Sequence, residues 1–396
     1  MIKKPRAVIV TEKGSDSNWL GIARSLGRKG ISVIRLTPRN WYNSKYSISV
    51  ISPNMVEKPH EFITFLIKLG KKRNCKDVLF PTSDNALILI SKYKNVLKDY
   101  FEPVASNWDT TEKIVDKSKT FNFAKALDIP MPETFVPKDM NEVRHIAKTI
   151  SYPCLIKPAH SHIFNPKFKI KLLKVNSKTG LIKNYEYLSN LGHKLLIQEE
   201  IPGDDQVYSF NTVFNKDSEP LAIFPGRKVR QYPPHFGIGS LTESVWEPRM
   251  VDLGIRMLKG IGFYGIAGVE FKKDYRTGDF KLLEINGRSW SWNYLATFCG
   301  LNMPYIAYKD AIGEKQKPLN SYTCDYELGV KWVHFLIDFL SMIKMRNEGK
   351  ITLTTWLRSI LVGKKTFAIF SLDDPRPFLS ELNFIIKNFV HTPLQK

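Results

Sequence analysis

Residues Lys281–Trp292 read KLLEINGRSWSW, a strand that begins apolar and then sets Glu284, Asn286 and Arg288 at every second position. Alternate residues of a strand share a face, so an acid, an amide and a guanidinium point the same way. With the residues just before it, the stretch forms AGVEFKKDYRTGDFKLLEIN (267–286), which reads as a hairpin whose turn contains Gly278. If the loop centres on Thr277, Glu270 falls opposite Glu284. Like charges across a strand pair are destabilising, and a buried pair needs cations or protons to exist. Two carboxylates and the amide oxygen of Asn286 are hard donors suited to Mg²⁺, which keeps open positions for substrate phosphates. The same spacing also suits a polar outer sheet face with Glu284 and Arg288 as a surface pair, and this strand alone leaves both readings open.

Other stretches weigh on that choice. Lys157 ends the apolar strand CLIKP (154–158), where a buried ammonium needs a partner; a lysine there is placed as a point charge for phosphate oxygens. Lys117 opens a helix in DKSK (116–119) and is a second such candidate, or a solvated lysine. In IQEEIPGDDQVYS (197–209), acids follow an apolar strand before a turn at Pro202-Gly203. Backbone beyond a strand end can meet a purine edge, and carboxylates just past it can hold ribose hydroxyls; a polar loop is the alternative. Lys228 and Arg230 on GRKVRQY (226–232) are candidate contacts to an anionic substrate or a γ-phosphate, a part Arg227 can share.

A chain of 396 residues implies two to four domains or subdomains. The first part alternates strand, helix and strand: AVIVTEKG (7–14), NWLGIARSLGRKG (18–30), SVIRLT (32–37), then DVLFPTSD (77–84). This is the pattern of a parallel α/β sheet. Asp84 therefore sits at the C-terminal end of a strand, where open α/β sheets collect ligands, and it is also placed to cap the next helix. No G-x-G-x-x-G follows the first strand, which counts against a dinucleotide cofactor. A strand-rich α+β part follows, and residues 316–396 read as helices rich in aromatics.

The charge is +21, with 59 basic and 38 acidic residues. Such a balance suits nucleic acid, an anionic membrane surface or anionic substrates. Four scattered cysteines show no paired spacing, so neither a disulfide framework nor a zinc site is expected. The N-terminus has too short an apolar run for a signal peptide. A cytoplasmic protein is the expectation.

Taken in order, the lysine of DKSK, the lysine of YPCLIKP, QEEIPG and then VEF…LLEINGR resemble the signatures of the ATP-grasp superfamily, and within it the D-aspartate ligase-like carboxylate–amine ligases. The resemblance implies a Rossmann-like domain over 1–112, a lid subdomain over 113–203 and a metal-binding subdomain over 204–315, with 316–396 as a helical C-terminal extension. It implies that Lys117 and Lys157 hold ATP phosphates. Glu199, Glu200 and the backbone of Ile201 would meet the adenine, and Asp204 or Asp205 the ribose. Glu270, Glu284 and Asn286 would bind two Mg²⁺ ions, with Mn²⁺ as an alternative, and Arg288 would steady an acyl phosphate.

Many members follow KP with a glycine-rich loop. Here AHSHIFNPKFKIK (159–171) has no glycine and offers His160, Ser161, His162, Asn165 and Lys167 instead. The expected activity is ATP-dependent amide formation between a small, anionic or amino-acid-like carboxylate and an amine. Kinase or carboxylase chemistry on the same site is the rival within the fold. A non-enzymatic basic protein binding nucleic acid or an anionic surface is the rival outside it, although nucleic-acid signatures are missing. Peripheral surface contact is assigned to the C-terminal helices, and Trp290 and Trp292 are expected to wall the substrate end.

Overall fold

The computed structural model describes residues 4–12, 16–39, 43–159, 172–203 and 207–390. The expectations placed on Asp204, Asp205 and the side chains of 160–171 lie outside the described residues. The fold is mixed α/β and is built on three sheets.

The first sheet contains β1 (Ala7–Val10), β2 (Val33–Thr37), β3 (Ile48–Ile51), β4 (Asp77–Pro81) and β5 (Phe101–Pro103), in the order β3-β2-β1-β4-β5. All its pairings are parallel. β1, β2 and β4 are buried along their whole length, as near-continuous apolar runs require when helices cover both faces. The helices are α1 (Asp16–Gly27), α2 (Pro59–Lys71), α3 (Asp84–Lys92) and the single turn α4 (Lys94–Leu97). Ser83, not Asp84, caps α3, accepting from the Ala86 N–H. Asp84 is thereby left at the first helical position with its carboxylate available to other groups.

Next come α5 (Trp108–Val115), α6 (Lys117–Ala126), β6 (Thr134–Phe135), α7 (Met140–Thr149), β7 (Cys154–Pro158), β8 (Leu173–Val175), α8 (Lys178–Ser189) and β9 (Leu195–Glu199). The strands form an antiparallel sheet ordered β6-β9-β7-β8. Val143 and Ile146 of α7 and Leu181 of α8 pack on Cys154, Ile156 and Ile197.

The third sheet starts with β10 (Val207–Phe214), β11 (Pro220–Tyr232) and β12 (Ile238–Ser244). After α9 (Pro248–Gly260) come β13 (Gly265–Lys273) and β14 (Phe280–Asn286). Gly278 takes φ +78 in the β13–β14 turn, the left-handed conformation that glycine adopts without penalty. The short helices α10 (Tyr294–Phe298) and α11 (Met303–Ala311) lead into the extension.

The extension is not purely helical. β15 (Lys331–Val333) pairs with β12, and β16 (Lys365–Phe367) pairs parallel to β15, so the sheet runs β14-β13-β10-β11-β12-β15-β16. Between these two strands lie α12 (Phe335–Asn347) and α13 (Leu353–Leu361), and α14 (Arg376–Val390) closes the chain's described part. Three-residue strands carry too little alternation to be read against aromatic-rich helices. It is the burial of Trp332 and Val333 that locks β15 onto the sheet. Asp374, fully buried, ties the extension back to α1 and the segment before β3 through Arg24 Nε (3.1 Å), Ser44 Oγ (2.7 Å) and the Lys45 N–H (2.9 Å).

Candidate functional site: a carboxylate row between two cavities

The β13–β14 register pairs Glu270 with Glu284 and Gly268 with Asn286. An extra residue, Leu283, bulges β14 beside this pair, the kind of irregularity that re-aims side chains. Two carboxylates set side by side need positive charge, and two lysines from other elements supply it. Lys228 Nζ on β11 donates to Glu270 Oε2 at 2.7 Å, and Lys117 Nζ at the start of α6 lies 3.8 Å from Glu284 Oε2. Farther along the row, Arg288 Nη2 donates to Asn286 Oδ1 (3.2 Å) while its Nε donates to Asp84 Oδ1 (2.9 Å). Asp84 thus joins the row from the C-terminal edge of the parallel sheet.

The four-stranded sheet brings the opposing charges. Asp116 caps α6 by accepting from the Ser118 and Lys119 N–H groups. The Lys117 N–H donates to Ala159 O, fastening the helix start to the end of β7. Lys157 Nζ donates to Gln198 Oε1 on β9, and Gln198 Nε2 donates in turn to Thr134 Oγ1 (2.7 Å). The result is an open cavity on which Lys117, Lys157, Lys228 and Lys272 converge opposite Glu270 and Glu284. Leu155, Ile201, Val207, Leu283 and Phe236 give it an apolar wall. Glu199 and Glu200 also line it but are held by Arg276, Lys281 and Lys174, so the four lysines gathered about Glu270 and Glu284 suit a polyanion that arrives with metal, beside a slot for a flat apolar group.

A second, open cavity lies across the row, lined by Asp84, Thr120, Phe121 and Asn286, and it shares Lys117, Leu283 and Glu284 with the first. The carboxylate row is therefore a partition. Among the described residues no cluster of three or more His, Cys, Asp or Glu side chains gathers in one place. A metal at Glu270, Glu284 and Asn286 must therefore complete its shell with substrate or water oxygens. Mg²⁺ fits that donor set, since it favours one or two carboxylates plus phosphates over all-protein cages.

Glu199, Glu200 and Ile201 line the first cavity. Burial works to raise the Glu199 carboxyl, but Arg276, the Glu133 N–H and Lys281 outweigh it and hold it below its ordinary value. Arg276 Nη2 stands 2.6 Å and Lys281 Nζ 3.3 Å from it. Glu200 pairs with Lys174 at 2.7 Å.

Three expectations are corrected. Arg230 does not line either cavity; it is 6% exposed and gives two hydrogen bonds to Asp338 of α12, at 3.0 and 2.8 Å. Arg227 pairs with Glu243 across the strand, at 2.5 Å. The cause in Arg230 is a bulge: β11 pairs Lys228 with Thr242 and Arg230 with Leu241, leaving Val229 unmatched, so the two cations part company. Trp290 and Trp292 are core, not substrate wall, packing edge-on at 5.5 Å within the cluster that includes Trp19 and Leu295.

Other lining residues were overlooked. Lys272 lies two positions beyond Glu270, and alternation along β13 places it on the same face. Gln198 and the His235-Phe236 corner carry no comparable signal; His235 is brought to the cavity from a turn whose φ is +74 and is met by Glu348 of the extension, at 3.1 Å.

No family model matches the chain. It is 25% identical over 323 residues to a D-aspartate ligase from Enterococcus faecium, covering 76% of this chain and 76% of that protein. Among solved structures it is similar to a biotin carboxylase βγ-ATP complex from Campylobacter jejuni, with TM-score 0.66, 16% identity and coverage of 83% of this chain and 74% of that one. It is also similar to an L-amino acid ligase from Bacillus licheniformis, with TM-score 0.60, 14% identity and coverage of 80% and 78%. The chain therefore shares its mixed α/β fold with that biotin carboxylase and that L-amino acid ligase.

Proposed function

We propose that the protein is an ATP- and Mg²⁺-dependent carboxylate–amine ligase. The carrying observation is the Glu270–Glu284 pair, set by strand register and flanked by Lys228 and Lys117, on the wall between two cavities. In this reading the triphosphate lies in the first cavity against Lys117, Lys157 and Lys228, with the adenine at Glu199, Glu200 and the backbone of Ile201. The resemblance gives the ribose to Asp204 or Asp205. Glu270, Glu284 and Asn286 would hold two Mg²⁺ ions, which would supply neutralisation of the phosphate charge and polarisation of the γ-phosphoryl group.

The acceptor carboxylate enters from the second cavity. Its oxygen attacks the γ-phosphorus, the bond to the bridging oxygen breaks, and ADP departs with that electron pair. An amine nitrogen then attacks the acyl carbon, the carbon–oxygen bond to phosphate breaks, and an amide and inorganic phosphate remain after the nitrogen sheds its proton. In this reading Arg288, which lines neither cavity itself but is bonded to Asp84 and Asn286 of the second, steadies the acyl phosphate and the tetrahedral oxyanion. Positioning and charge neutralisation do this chemistry without a protein nucleophile.

A coupled ADP-release screen of amino acids and small carboxylates, singly and in pairs, tests the proposal. Turnover that requires a pair and yields an amide supports it. ADP release with a single carboxylate and a stable phosphorylated or carboxylated product overturns amide formation.

A further inference from the structure

The extension presents apolar residues on the side facing away from its own sheet. On α12 the buried positions are Asp338, Ser341 and Met342, while Phe335, Phe339, Leu340 and Ile343 are 36–56% exposed. On α13 Trp356 and Ile360 are buried, while Leu353, Leu357 and Leu361, one helical turn apart in succession, are exposed. The inner residues Met342, Trp356 and Ile360 pack on Leu241 and Val333 of the sheet, so the outer stripes look away from it. The stripes adjoin. The rings of Phe335 and Phe339 lie against Trp356, at 6.2 and 5.8 Å between centroids, and Leu353 and Leu357 flank Trp356 on its own helix. Val362, 57% exposed, extends the patch. A folded monomer rarely leaves contiguous apolar surface of this kind without a use.

The charge around the stripes narrows what covers them. Residues 335–365 hold six basic side chains, Lys344, Arg346, Lys350, Arg358, Lys364 and Lys365, against only Asp338 and Glu348. Asp338 is buried under Arg230, which leaves Glu348 as the one exposed acid of the segment. Among the described residues no ion pair holds Arg346 or Arg358. A second copy meeting this face about a twofold axis would set like charges against one another. Nucleic acid would satisfy the cations and leave the leucines in water. An anionic bilayer accepts both at once, the apolar stripe in the acyl boundary and the basic rim among headgroups. Among the described residues no helix is long and apolar enough to cross a membrane, so the contact is lateral.

We propose that the outer face of α12 and α13 docks the protein on an anionic lipid surface. The proposal does not rest on the ligase reading. The test is co-sedimentation of the full chain with vesicles of phosphatidylcholine alone or mixed with phosphatidylglycerol, across a salt series. The expected result is partitioning onto the phosphatidylglycerol vesicles that weakens as salt rises. The Leu361→Glu/Val362→Glu variant should lose about tenfold in partitioning, with thermal midpoint and ADP release unchanged. Arg346→Glu and Arg358→Glu, at positions with no packing role, should each cost roughly fivefold.

Absence of vesicle binding overturns the proposal, as does equal binding to both vesicle types. Unaltered partitioning of the Leu361→Glu/Val362→Glu variant also overturns it. A dimer that this variant splits, without vesicle binding, assigns the face to a second copy instead.

Discussion

Lys228 and Arg230 sit two residues apart on β11, and regular alternation would aim them at one target. Instead Lys228 meets Glu270 on the cavity wall, and Arg230 meets Asp338 beneath the extension. Both ion pairs are short, at 2.7 and 2.8 Å. Their surroundings differ: Glu270 is 16% exposed, whereas Asp338 is fully buried and also accepts from Ser240 Oγ and Trp356 Nε1, each at 2.8 Å. An acid with every lone pair engaged is structural. An acid with one lysine and open cavity beyond it can exchange that lysine for a metal or a phosphate-bound ion. One bulged residue, Val229, therefore divides β11 into a cavity-facing side, the reactive side of the proposed ligase, and a fastening side.

That division can be broken by mutation. Asp338→Ala strands the buried Arg230 and should cost about 3–5 kcal/mol of stability, read by denaturant or thermal unfolding. Lys228→Met should lower kcat/KM for ADP release by about a hundredfold and cost much less stability, because Glu270 opens onto the hydrated cavity. Arg230→Lys gives up the two-pronged contact with Asp338 and should cost about 1–2 kcal/mol while leaving turnover near normal. A hundredfold loss of turnover in a well-folded Arg230→Lys protein would return Arg230 to the reactive side.

The smallest expected effect is one of pH. Burial pushes His334, at the head of α12, down from 6.5 to about 4. Between those values the unfolded chain binds more protons than the folded one, so stability falls as pH drops through that window. His334→Gln should flatten this slope, measured as thermal midpoint against pH.

The reactive side was the more legible from sequence. Strand alternation and one turn glycine place Glu270 opposite Glu284, and the register follows from residues within one hairpin. The parallel order of β1, β2 and β4 was legible in the same way, from buried apolar runs separated by a helix. What escaped depended on distant partners. The Val229 bulge delivers Arg230 to Asp338, more than a hundred residues on. The partnership of Asp84 with Arg288 joins the end of the parallel sheet to the segment after β14, some two hundred residues on. Trp290 and Trp292 read as substrate wall because nothing local reveals Trp19, far back in the chain, packed in the same core. β15 and β16 are too short to show a period.

The central claim is that the Glu270–Glu284–Asn286 row holds metal against ATP. It is tested most directly by the Mg²⁺ dependence of ADP release in the wild type and in Glu284→Gln, with thermal melting as the control for fold. The account predicts saturable Mg²⁺ activation in the wild type and a loss of roughly 10²–10³-fold or more in the folded variant. Near-normal, Mg²⁺-activated ADP release by Glu284→Gln would contradict it.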